Sequence, residues 1–190
     1  MRKKIFRNVA SFFLNKKNFY LTIAVAVVLF AILFSQIRSA ILVLLLIGLT
    51  VALKFFESYL PRGVNIDPSL FVLIVLMKAY NLPLALAVTI VSFLIGIIVK
   101  GFATSRMSGE NIIFPPIGYI AVGFFISFFQ LGIFMTGMVA VVFYSALMTL
   151  LFGLAYGFPI FDIFIFWITI VPFNYWLFAS FGQTVLSLLS

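Results

Sequence analysis

A chain of 190 residues that is 65% apolar and 8% charged lies outside the composition of soluble domains and reads as an integral membrane protein. It contains no His and no Cys, which excludes an imidazole base, Ser-His and Cys-His pairs, thiolate or imidazole metal sites, and disulfides. The net charge of +8 would suggest nucleic acid in a soluble protein, but six of the twelve basic residues fall in the first seventeen positions; membrane orientation and anionic headgroups explain them, so the expected partner is the lipid bilayer and not nucleic acid.

The acids are Glu57, Asp67, Glu110 and Asp162, too dispersed to form a carboxylate motif. No Walker-type loop or glycine phosphate cradle is present. No enzymatic activity and no cofactor are therefore expected, and any ATP would be hydrolysed by another protein. Apolar runs of spanning length favour helices over a barrel.

Residues 1–18 place Ile5, Phe6, Val9, Phe12 and Phe13 at helical spacing between basic clusters. This predicts a short interfacial helix on the cytoplasmic surface, preceding a single transmembrane domain over 19–190. Residues 19–36 are the first expected span, a signal anchor rather than a cleaved signal peptide. A tight connection at Ile37-Arg38-Ser39 and a second span over 40–56 follow. Gly48 and Ala52 form a small-x3-small spacing in that span, fit either for packing within the bundle or for docking a partner helix. Lys54 and Glu57, three apart, read as a surface ion pair.

The polar loop 58–68 is broken by Pro61 and Gly63. Asp67-Pro68-Ser69 has the form of a helix start, with Asp67 as N-cap and Pro68 at the first position. Residues 69–80 are short for a span and could cross obliquely or in a thinned bilayer, with Lys78 snorkelling. Further spans are expected over 83–99, 117–131 after Pro115 and Pro116, 133–155 after a reversal at Gly132, and 160–188. Pro172 is expected to interrupt the last of these. Asn174, beside that break at membrane depth, is either an interhelical hydrogen-bond partner or a ligand contact. Asp162 suits the first turn of that helix through the dipole. Seven spans with a cytoplasmic N-terminus put ten basic residues inside and two, Arg38 and Lys78, outside, in accord with the positive-inside rule.

From about Ala40 onward the chain resembles the six-helix fold of the substrate-binding S components of energy-coupling-factor transporters, and the similar MreD-type rod-shape membrane proteins. The resemblance rests on Leu60-Pro61-Arg62-Gly63-Val64-Asn65-Ile66-Asp67 after the first core helix, the short second helix, the break at Asn81-Leu82-Pro83, and Asn174 in the final helix. The Gly-Pro-x-x-Gly break usual in S components keeps Pro83 but lacks the glycines. The fold class this implies is all-α, polytopic, with a six-helix S-component-like core plus an extra N-terminal hydrophobic helix. An S component would capture a vitamin or metal ion through Asn65, Asp67 and Asn174. It would dock a transmembrane coupling subunit on Gly48 and Ala52, with separate ATPases driving transport. The extra helix, if it crosses, inverts the core and turns the capture loop to the cytoplasm. The MreD-type resemblance implies instead a scaffold that binds cell-envelope or cytoskeletal proteins. A lipid-modifying enzyme is the third reading, and the acid inventory argues against it.

Overall fold

The computed structural model describes the backbone of residues 16–61, 63–104 and 109–189, and side chains within 36–61, 63–101, 112–153 and 157–189. The basic segment 1–15, Arg62, and the side chains of the expected first span, of Arg106 and of Glu110 lie outside the described residues. Among the described residues the chain is helical with no strand: α1 Lys16–Glu57, α2 Ser69–Ala79, α3 Leu82–Thr104, α4 Gly109–Ser127, α5 Ile133–Tyr156, α6 Ile160–Leu177, a π-helical turn Phe178–Gly182, and α7 Gln183–Leu189. The chain divides into two units, Met1–Ile41 and Leu42–Ser190. The helical bundle is the second unit, Leu42–Ser190.

Among the described residues four helical stretches are long and apolar enough to cross a membrane: Gln36–Glu57, Leu82–Gly101, Ile133–Gly153 and Ile160–Leu189. Ser69–Ala79 and Ile112–Ser127 are shorter apolar helices. The protein is therefore membrane-embedded and all-helical in its described part.

Three expected breaks are absent. The connection at 37–39 is continuous helix, and α1 runs for 42 residues. No Gly, Pro or Asn lies between Phe19 and Gly48, so nothing there terminates a helix. At 1.5 Å per residue α1 is about 63 Å long, roughly twice the hydrocarbon thickness. Pro115 and Pro116 sit inside α4 and Pro172 inside α6, where neighbouring helices allow a proline that a lone helix in water would not tolerate. The final run is interrupted later, by the π-helical turn. There Phe178 lies on the backbone of Gly137, where a Cβ would come within 2.6 Å of the ring. The reversal at Gly132 forms as expected, with an extended Gly132 as N-cap of α5. Gly157, left-handed at φ 60°, closes the far end of that helix through bonds from Gly157 N–H to Gly153 O and from Phe158 N–H to Phe152 O.

Helix α2 is the centre of the bundle. Its sequence is apolar on every side, and every residue from Ser69 to Leu76 is buried. Helices α3, α4, α5 and α6 all pack against it. Its shortness is resolved by what precedes it. Residues Val64–Pro68 are non-helical and lie along α6. Gly63 meets Asp162 and Ile165, Asn65 N–H bonds Thr169 Oγ1 at 3.0 Å, and the Asp67 carbonyl faces Asn174 Nδ2 at 3.4 Å. Gly63 to Asp67 is about 13 Å of extended chain, matching about 14 Å of helix rise from Ile165 to Asn174. Helix α2 adds about 16 Å, and Lys78 at its end donates to Leu131 O beyond the C-terminus of α4, at the opposite end of the bundle. Irregular segment and helix together make about 30 Å of chain, the length that one crossing of the hydrocarbon needs.

Gly63 fixes the entry to that segment. Its φ is +85°, and a Cβ would lie 2.8 Å from the Asp162 carbonyl oxygen and 3.1 Å from Ile165 Cβ. Both the backbone conformation and the space require glycine. Gly63→Ala is expected to destabilise the protein by about 1–3 kcal/mol, read as a lower midpoint in thermal unfolding. Gly157→Ala, with open space around its Cβ, is expected to cost less than Gly63→Ala because only the φ term remains.

Candidate functional site

The irregular segment before α2 brings a set of buried polar groups together. The sequence pattern places Lys54 three residues from the end of α1, on the ridge Leu46, Thr50, Lys54 that is this helix's buried face in the bundle. Spacing of four keeps these three on one side of the helix. Thr50 satisfies its hydroxyl within the helix by donating to Leu46 O at 3.1 Å. Lys54 finds one acid within its own helix and one beyond it: Glu57 Oε2 at 2.8 Å and Asp67 Oδ2 at 3.0 Å. The ring of Phe93 from α3 lies 5.3 Å from the same ammonium, within cation–π range.

Asp67 is the hub. Its Oδ1 accepts from the backbone N–H of Ser69 at 2.8 Å and from the Ser69 hydroxyl. Its Oδ2 accepts from Tyr119 Oη at 2.7 Å in addition to the Lys54 ammonium. Its own N–H donates to Asn65 Oδ1 at 3.0 Å. The carboxylate therefore stands at the buried N-terminus of α2, where the helix dipole favours a negative charge. It does so one position earlier than expected: Pro68 is the N-cap, and its carbonyl accepts the bond from Val72 N–H at 3.0 Å. Asp67 reaches Ser69 N–H by an Asx-type turn instead.

The ion pairs continue outward. Glu57 also lies 3.9 Å from Lys100 Nζ. Side-chain exposure rises along the chain Asp67, Lys54, Glu57, Lys100 from 4% and 5% to 11% and 27%, so the row leads from the middle of the bundle to the ends of α1 and α3. The two acids balance the two bases. An unbalanced charge at this burial would be costly, and paired, hydrogen-bonded charges are the form in which burial is tolerated. The Lys54–Glu57 pair expected at the surface is therefore inside the protein, because it is shared with Asp67.

Aromatic packing holds the remaining side. Tyr119 stacks on Tyr144 with centroids 5.4 Å apart and planes at 7°, and meets Phe93 edge-on at 5.6 Å. Gly118 makes room: a Cβ there would approach Tyr144 Cε2 to 2.7 Å and Met148 Cε to 2.4 Å.

Of the residues singled out from sequence, Asn65, Asp67 and Asn174 come together in one network. Asn65 is an Asx-turn acceptor for Asp67 and is tied to α6 through Thr169. Asn174 is fully buried and donates to Ile170 O at 3.0 Å and to Asp67 O at 3.4 Å. Gly48 and Ala52 lie elsewhere. Both are exposed, and no atom of the described residues comes within 4 Å of a Cβ at Gly48, so among the described residues nothing packs on Gly48. Lys54 and Tyr119 are the functional candidates that sequence reasoning missed. Among the described residues no group of His, Cys, Asp and Glu could hold a metal ion.

No protein-family model, no curated protein and no solved structure matches the chain.

Proposed function

We propose that the chain is a non-enzymatic subunit of the cell membrane that binds a small solute, vitamin-like or ionic, for a transporter energised by a separate ATPase. The observation that carries this reading is the irregular segment 64–68 packed on α6 and leading into the buried helix α2, which we read as one discontinuous crossing over residues 63–79. Non-helical backbone at membrane depth persists where it is buried in protein or lines a cavity, and ionisable groups there mark solute and ion pathways. Interrupted helices are also the usual place where transporters hold their cargo. Asn65, Asp67 and Asn174 are the proposed solute contacts, and the six-helix S-component-like core is part of the same proposal. In this reading Gly48 and Ala52 present α1 to a transmembrane coupling subunit.

The exposure of Gly48 and Ala52 also favours a second reading, an MreD-like scaffold whose α1 face receives a partner helix from an envelope or cytoskeletal protein. The side of the membrane on which loop 58–68 opens separates the two. Tyr59 is exposed and outside the polar network, and the chain has no native cysteine. A single Tyr59→Cys substitution therefore gives a unique label site. Reaction with a membrane-impermeant maleimide in intact cells is the result expected for solute capture. Reaction only after the cells are opened would place the loop on the cytoplasmic side, and would sink the capture reading in favour of the scaffold.

A further inference from the structure

The first turn of α2 holds polar groups that the ion-pair network does not use. With Pro68 as N-cap, the first helical bond is Val72 N–H to Pro68 O. Ser69 N–H is taken by Asp67, and the N–H groups of Leu70 and Phe71 have no acceptor within the helix. Both residues are 1% exposed. The acceptor that Phe71 would reach, were the helix one residue longer, is the Asp67 carbonyl. That carbonyl instead faces Asn174 Nδ2, which sets the Asn174 amide at the mouth of this turn. Its Nδ2 donates to two carbonyls, so the orientation of the amide is determined and Oδ1 is the free end. Asn174 is 0% exposed, and among the described residues its Oδ1 has no donor. An orphaned buried acceptor is thus held beside a buried helix start by the bond from Asn174 Nδ2 to the carbonyl of Asp67, the residue before the N-cap.

The charge balance restricts what can satisfy them. Asp67 and Glu57 are already compensated by Lys54 and Lys100. A further anion would face the Asp67 carboxylate, and a further cation would face the Lys54 ammonium and the positive end of α2. The group must also donate to Asn174 Oδ1 and accept from a backbone N–H. A neutral hydroxyl does both.

We propose that the first turn of α2 is a binding site for a neutral hydroxyl group, which donates to Asn174 Oδ1 and accepts from the N–H groups of Leu70 and Phe71. The hydroxyl belongs either to an ordered water or to an uncharged polar solute. This deepens the solute-binding reading by naming the chemistry at Asn174. It also differs from that reading in its test, because occupancy of the turn is measured without reference to transport or to the side on which loop 58–68 opens.

The experiment is a structure of the full chain in a lipidic mesophase, at a resolution that shows ordered solvent. It is paired with thermal unfolding in a glycerol series, for the native protein and for Asn174→Leu. The expected result is density about 3 Å from Asn174 Oδ1 in the native protein. With it, a saturable rise in midpoint with glycerol that Asn174→Leu lacks assigns the hydroxyl to a solute. The same density with only the non-saturable glycerol effect shared by both proteins assigns it to water. Native density with no group at Asn174 Oδ1, or with a protein donor turned onto it, overturns the proposal. The native measurement stands alone if Asn174→Leu does not fold.

Discussion

Lys54→Met is expected to be the most damaging single change in the bundle, lowering stability by about 3–5 kcal/mol. Methionine keeps the volume and flexibility of the lysine stem, so packing on α3 is largely retained. What is lost is the ammonium that holds both Glu57 and Asp67. Asp67 is then left with an ionised or forcibly protonated carboxyl among buried groups, with only Tyr119 and Ser69 to support it. Asp67→Leu is expected to cost a similar amount for the mirror-image reason, since Lys54 would retain Glu57 alone. The double variant separates the effect of the pair from the effect of stranding one member. Replacing a whole buried pair by apolar groups is often near neutral, so Lys54→Met with Asp67→Leu is expected to be well short of the sum. Thermal or denaturant unfolding in the same mixed micelles measures all three. A double variant that merely adds the two single effects would mean that the two residues act independently, and the network would lose its place as the tie between α1 and the irregular segment before α2.

That tie also shows what the sequence could and could not disclose. Helices were legible because apolar runs of spanning length have few other outcomes. Asn174 was legible because a polar side chain at membrane depth requires a partner, whereas Asn65 and Asp67 were named only through the resemblance of their loop to that of S components. The partners themselves were not. Asp67 bonds Tyr119 across 52 positions, and no local spacing encodes such a meeting. Lys54 had a sufficient local explanation in Glu57, and a lysine near a helix end ordinarily snorkels. Tyr119 was one of many aromatics in a chain that is 18% aromatic, where any single ring carries little signal. The continuous helix through Ile37-Arg38-Ser39 went unforeseen for the opposite reason: polarity at those positions suggested a turn, while their backbone preferences permit helix throughout. The irregular segment before α2 was hidden because extended chain beside α6 leaves no periodicity to detect.

The second large effect is expected at Gly96, where α1 and α3 approach most closely among the described glycine contacts. A Cβ there would stand 2.9 Å from Lys54 Cβ, 3.0 Å from Lys54 Cγ and 3.6 Å from Val51 Cα. The obstacle is the near end of the lysine, whose far end is fixed by two carboxylates. It cannot swing aside without breaking those bonds, so α1 itself must move. Gly96→Leu is expected to cost about 1–3 kcal/mol from overpacking, with a further loss as Lys54 is pulled from Asp67. Gly96→Ala should cost less, since a few tenths of an ångström of helix displacement accommodate one methyl group. The decisive comparison is with Lys54→Ala. That background has lost the ion pairs and the Cγ but keeps the Cβ 2.9 Å from position 96, so Gly96→Leu should still cost its overpacking there but not the further loss from pulling Lys54 off Asp67. Contacting residues are expected to couple in this way, whereas distant ones add. A full additional cost in the Lys54→Ala background would show that Gly96 is needed for some other contact. The reduced increment expected would show that the close approach of α1 to α3 and the buried charge row are coupled. Glycine at position 96 sets the distance at which Lys54 can reach inward to Asp67.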